Sequence, residues 1–194
     1  MPRSKSEEKR QAILDAAEAA FGRREFDEVL TDDIAAGAGV GKGTLYRYFP
    51  TKEDLYAATL LRVLAELDAG LERPCSGCRT AKERLDAICR AMLQTLWARH
   101  TLFHALHGLG RSSGTLRREF RNRRSHLQKA IEAALLEGIE RGELRTHDPF
   151  TAAQLFLGMV RSGVVFRRPG DTIDGIAREI LAVFLRGVGA QEAP

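Results

Sequence analysis

Several groups of residues in this chain have the types and spacing to do chemistry. The densest donor group runs from Lys42 to Lys52: Lys42, Thr44, Tyr46, Arg47, Tyr48 and Lys52 all carry N–H or O–H groups, and Gly43 adds no bulk between them. No acid occurs between Ile34 and Lys52, so a phosphate backbone approaching this stretch is expected to meet only attraction. Cys75-Ser76-Gly77-Cys78 has the ligand spacing of half a zinc site or of a redox pair. A structural zinc needs four ligands and the second half is missing, so the spacing equally fits an ordinary reduced loop. His100, His104 and His107 fall on one side of a continuous helix, as ligands or as a plain polar face. Arg117, Arg118, Arg121, Arg123 and Arg124 form a charge run that suits either a solvated face or an anionic ligand. For catalysis there is no phosphate-binding glycine loop, no HExxH and no supported Ser-His-Asp order, so no enzyme activity and no cofactor are implied.

The elements that must position these groups are helices throughout. Thr31 is placed to cap a helix whose inward residues are Ile34, Ala35 and Ala38, and Ala38-Gly39-Val40 supplies a small residue, a turn glycine and an apolar plug. A second helix then begins near Gly41. Leu45 and Phe49 stand one turn apart and can pack inward, which turns Lys42, Gly43 and Tyr46 outward. Two helices so joined, with donors on the outer face of the second, form a helix-turn-helix suited to reading DNA. Upstream, Ile13, Leu14, Ala17 and Phe21 recur at helical spacing up to Gly22; downstream, Thr51 and Asp54 resemble a capping box that opens a fourth helix running to Gly70. Leu71 to Thr80 reads as a linker. Further helices are expected over about 81–99, 102–109, 115–141, 149–166 and from Asp171 or Thr172 onward, the fifth of the chain carrying the stripe Leu85, Ile88, Met92 and Leu96.

Composition bounds the class. With 44% hydrophobic residues the chain can bury a core, no run of 18 apolar residues exists to cross a membrane, and the first ten residues lack an apolar signal region. Three cysteines fit a reducing compartment better than a disulfide framework, so a cytoplasmic location is expected. The net charge of +4 is not itself a nucleic-acid signal. Residues 1–55 carry 9 Lys/Arg against 11 Asp/Glu, and the basic excess lies beyond them. DNA binding therefore has to rest on the local face around Lys42 to Lys52.

The run GVGKGTLYRYFPTKEDL, with DIAAGAG before it, closely resembles the TetR family of bacterial transcriptional repressors, and RQAILDAAEAAF is similar to that family's first helix. The resemblance covers roughly residues 9–60. Gly41 departs from the pattern, standing where the family most often has serine; a glycine still fits an N-cap but offers no hydroxyl to a phosphate. The resemblance implies an all-α chain of about nine helices, with a DNA-binding domain over 1–55 and an effector-binding and dimerisation bundle over 56–194. It implies that Thr31, Thr44, Tyr46, Tyr48 and Lys52 hold phosphates, with Lys42 and Gly43 nearest the base edges. It implies a homodimer on a palindromic operator, released when a small-molecule effector shifts the fourth helix.

Two sets of apolar residues belong to that picture. Met92, Trp97, Phe103, His104, Phe120, Phe156 and Met159 are the material for an effector cavity. In the last two helices apolar residues spread too widely for one buried stripe, and Phe156, Val160, Val164, Leu181 and Phe184 are the candidate dimer contacts; a fully internal pair of helices is the alternative. Two other functions remain open at this point. One is a metal- or redox-responsive repressor using Cys75, Cys78 and the histidines; the other is a helical carrier or enzyme for a lipid-like molecule, with a structural N-terminal domain.

Overall fold

A computed structural model describes residues 4–71, 77–103, 112–145 and 148–188. Among these the regular elements are helical: α1 (Lys5–Phe21), α2 (Thr31–Gly37), α3 (Lys42–Tyr48), α4 (Lys52–Leu71), α5 (Ala81–Trp97), α6 (Gly114–Glu140), α7 (Pro149–Val165) and α8 (Ile173–Val188). Short 3-10 helices cover Phe26–Glu28 and His100–Phe103. Eight α-helices stand where about nine were expected, because the segment placed at 102–109 enters as the 3-10 helix and its remainder lies outside the described residues.

The chain divides into two compact units, Met1–Val63 with Ala98–Asn122 and Leu64–Trp97 with Arg123–Pro194. In the first, Ser4 caps α1 by accepting from the Glu7 amide at 3.2 Å, and Glu7 and Glu8 complement the positive end of the helix. The inward stripe Ile13, Leu14, Ala17 and Phe21 is fully buried. Phe21 lies 5.9 Å from Phe26 and edge-on to Tyr56 at 5.2 Å, while Phe26 and Tyr56 meet at 5.1 Å. This aromatic triad joins α1, the loop after it and α4. Thr51 accepts from the Asp54 amide at 3.0 Å as expected of a capping pair, but the buried Asp54 carboxylate accepts from the Ser113 amide at 2.8 Å.

The second unit is an apolar assembly of α5, α7 and α8 packed on one another. Thr80 caps α5 through the Glu83 amide, and the Glu83 carboxylate accepts from the Arg79 amide at 2.8 Å, so the end of the expected linker is a helix start. Asp148 accepts from the Phe150 and Thr151 amides, with Pro149 in the first turn, and Thr172 accepts from the Gly175 amide to open α8. Phe156 and Phe184 meet edge-to-face at 4.9 Å. Gly163 is required by close approach: a Cβ there would lie 2.6 Å from Ile176 Cγ2.

Candidate nucleic-acid interface

The helix-turn-helix is built from three local choices. Ile34 and Ala35 on α2 and Leu45 on α3 are buried, as is Phe49 just beyond, which sets the face that each short helix turns inward. Gly39 takes a φ of +65°, a left-handed conformation that glycine adopts without strain, and the Val40 amide then returns to the Ala35 carbonyl at 3.0 Å. Gly41 occupies the N-cap of α3 in an extended conformation without a side-chain bond, so the missing serine hydroxyl leaves this helix start without a side-chain cap.

The outward face of α3 follows from burying Leu45. Lys42, Gly43, Tyr46 and Arg47 are exposed, and Thr44 and Tyr48 are half-buried beside them. No side chain lies within 4 Å of where a Cβ on Gly43 would stand, so a base edge can approach the backbone there. Lys42, Gly43 and Tyr46 thus share the exposed face of α3, Thr44 and Tyr48 lie on its half-buried flank, and Thr31 and Lys52 lie outside this helix.

Thr31 does not cap α2. Leu30 occupies that position, and the Thr31 and Tyr46 hydroxyls share a 3.1 Å hydrogen bond across the turn. Tyr48 is likewise bonded to Ser6 of α1 at 2.9 Å. Lys52 is half-buried, with its ammonium 4.5 Å above the Phe26 ring. Burial lowers its pKa against the opposing pull of Asp27 and Glu53.

The expectation of purely attractive surroundings needs correction. Lys42 Nζ lies 2.8 Å from Asp32 Oδ1 and 3.1 Å from Oδ2, and this hydrogen bond and charge raise its pKa. Asp32 precedes the acid-free stretch in sequence, but the turn folds the start of α2 back beside the start of α3. Neither Asp32 nor Ser6 is legible in the sequence as a member of this face, because neither lies within one helical turn of its partner.

Between α1 and α4, Arg62 reaches Asp15 and Glu18 at 2.5 Å each and donates to the Leu14 carbonyl at 3.0 Å. Arg99 Nε donates to the other Glu18 oxygen at 2.5 Å. Burial opposes ionisation of Glu18, yet hydrogen bonds and charges from the two arginines outweigh it and hold its carboxyl below the ordinary glutamate range. Asp15, Glu18, Arg62 and Arg99 line an open cleft of about 480 Å³ with Ala19, Gly22, Arg23 and Ala98.

Of the effector set, Met92 and Phe156 are buried, Trp97, Phe120 and Met159 are half-buried, and the Phe103 side chain and His104 lie outside the described residues. Arg167 stacks 4.8 Å from the Trp97 ring and donates to its carbonyl. Phe156, Val160, Val164, Leu181 and Phe184 are each 7% exposed or less within the single chain, and the apolar side chains that α7 and α8 leave open are Phe150, Leu155 and Val183. Cys75, His104 and His107 lie outside the described residues. Among the described residues no three His, Cys, Asp or Glu side chains gather to hold a metal, and burial pushes the Cys89 thiol up to about 12.

Two family models match: that of the bacterial regulatory proteins of the tetR family over residues 13–59, and a tetracyclin repressor-like C-terminal domain over residues 78–188. The chain belongs to the TetR family. It is similar to the fatty acid metabolism regulator protein of Bacillus subtilis, 27% identical over 150 residues that span 76% of this chain and 77% of that one. It is 37% identical over 79 residues to the transcriptional repressor KstR of Mycobacterium tuberculosis, a match spanning 41% of this chain and 36% of that protein. Its fold matches the crystal structure of the regulator FadR from Bacillus subtilis in complex with stearoyl-CoA, with a TM-score of 0.76, 23% identity, and coverage of 92% of this chain and 98% of that one. These relatives are transcriptional regulators. This TetR-family chain is accordingly a DNA-binding, ligand-responsive transcriptional regulator whose partners are operator DNA, a small-molecule effector and a second copy of itself. No helix among the described residues is long and apolar enough to cross a membrane.

Proposed function

We propose that this regulator is a cytoplasmic repressor without enzyme activity, released from a near-palindromic operator by an effector that carries a long acyl chain. The observation that carries the DNA half is the exposed α3 face of Lys42, Gly43 and Tyr46 over a buried Leu45. In this reading Thr31, Thr44, Tyr46, Tyr48 and Lys52 position the head on phosphates, Lys42 and Gly43 approach base edges, and the working division falls near residue 55. The acyl-chain assignment rests on the two Bacillus subtilis proteins, the fatty acid metabolism regulator and the FadR structure with stearoyl-CoA. Met92, Trp97, Phe156 and Met159 are apolar residues of the second unit fit to line such a site. Leu155 and Val183, left open on α7 and α8, are the side chains that support a two-fold interface. Two heads are needed because one module buries too little surface for tight specific binding, and their half-sites should be about 34 to 36 Å apart or a multiple of that. The effector acts only by preferring the state that binds DNA poorly.

The test is operator titration with and without stearoyl-CoA. Selective, salt-dependent binding is expected, weakened at least tenfold by micromolar stearoyl-CoA and unaffected by free coenzyme A. Lys52→Ala should weaken every sequence alike and flatten the salt slope by about one. Selective binding that ignores all acyl-CoA lengths would leave the regulator standing and remove the acyl effector.

A further inference from the structure

Asp32 is out of place for a residue that only supports a DNA-binding surface. A carboxylate beside the recognition helix faces a polyanion, and an exposed acid there weakens binding unless it finds a donor. Here the side chain is 63% exposed, and its position is fixed twice: by the Lys42 ammonium at 2.8 Å, and by the Thr31–Tyr46 bond, which holds the start of α2 against the exposed face of α3. The neighbouring Asp33 is engaged by Arg24 at 2.9 Å, so Asp32 is the acid of this pair that meets the first residue of α3.

In a helix-turn-helix the N-terminal residues of the second helix contact base edges. Lys42 is the first residue of α3. Its ammonium has three donors, so pairing with the two Asp32 oxygens leaves a hydrogen for a base acceptor, and the carboxylate keeps lone pairs for a base donor. The major-groove edge of a G·C pair presents that complement: guanine N7 and O6 accept side by side, and cytosine N4 donates next to them. An A·T pair sets its N6 donor between the adenine N7 and thymine O4 acceptors and ends on a methyl group, so a cation over two neighbouring acceptors with a carboxylate over the donor beyond them has no equivalent there.

We infer that Asp32 is a specificity-determining residue, which with Lys42 forms a donor–acceptor pair that takes one G·C base pair in each half-site and disfavours DNA lacking it. Where an acceptor or the thymine methyl stands in the place of the cytosine amino group, the carboxylate meets no donor and Lys42 stays tied to it instead of taking a phosphate. The acid thus lowers background binding while adding a base contact. This rests on the DNA-reading assignment above.

The experiment is selection from randomised duplexes, followed by titration at several salt concentrations, with the full chain as wild type, Asp32→Ala and Asp32→Asn. Wild type should require G·C at one position of each half-site. Both variants should lose that preference by about tenfold, the scale of one base contact. Asp32→Ala should also bind unrelated DNA more tightly, with a salt slope steeper by about one as Lys42 is freed for a phosphate. Melting curves will show that the near-isosteric Asp32→Asn remains folded. An unchanged G·C preference in the variants, a wild-type preference for A·T there, or a uniform loss across all sequences would overturn the inference. A wild-type chain without any sequence selectivity would instead overturn the DNA-reading assignment, and the inference with it.

Discussion

Each of the two units contains a helix joint of a different kind. In the first, charged groups at fixed geometry add to the aromatic triad between α1 and α4: Arg62 on Asp15 and Glu18, with Arg99 closing on the second Glu18 oxygen. In the second, α7 and α8 meet through Phe156 on Phe184 and through Gly163, where only a hydrogen separates backbone from Ile176. Charge-assisted hydrogen bonds are directional and fix how one helix is set against another to a fraction of an ångström. Apolar contacts fix volume more than orientation and tolerate repacking. A reading head that must match base edges benefits from the first kind of joint, and a bundle that must admit a ligand benefits from the second.

Substitutions separate the two kinds of joint. The largest effect is expected at Phe156, which is fully buried: Phe156→Ala should destabilise by roughly 3–5 kcal/mol, because lost burial and a residual cavity add. Denaturant unfolding measures it, and a loss under 1 kcal/mol would show that the bundle collapses around the gap.

A smaller effect is expected at Glu18. Removing one partner of a fully buried pair costs roughly 3–5 kcal/mol, but this side chain is 17% exposed and glutamine keeps some hydrogen bonds, so Glu18→Gln should cost about 1–2 kcal/mol near pH 7. Its sign with pH is fixed. Glu18 has its pKa lowered by folding, so its contribution is present above the ordinary value of 4.5 and is lost as pH falls through the lower folded value. The gap between wild type and Glu18→Gln should therefore close on acidification, and unfolding curves at pH 7 and pH 3 test it. A gap independent of pH would assign the cost to packing.

The smallest effect on folding is expected at Leu155, 61% exposed on α7. Leu155→Glu should alter single-chain stability by less than about 0.5 kcal/mol, as surface changes do, yet weaken self-association measured by sedimentation. Unchanged association would place the two-fold contact elsewhere.

The parts of the molecule that were legible in the sequence are those set by neighbours a few residues apart. Helix starts at Asp148-Pro149 and Thr172 are legible because a short polar side chain satisfies amides two or three residues on. The buried stripe of α1 and the outward Lys42, Gly43 and Tyr46 follow from 3.6 residues per turn. The motif over Gly39 to Leu55 also carried the family.

The tertiary structure alone decided which atoms meet across larger separations. Asp32 stands ten residues from Lys42 and reaches it because Gly39 reverses the chain; Arg62 meets Glu18 across 44 residues, and Lys52 lies over Phe26 from the far side of the helix-turn-helix. On α7 and α8 the apolar pattern showed that more than one face is covered, but Phe156, Val160 and Val164 went to the core and Leu155 and Val183 to the surface. Periodicity reports that a helix has two apolar sides. Which of them faces inward depends on the rotation of the helix against its neighbours, and that is set by packing residues remote in sequence.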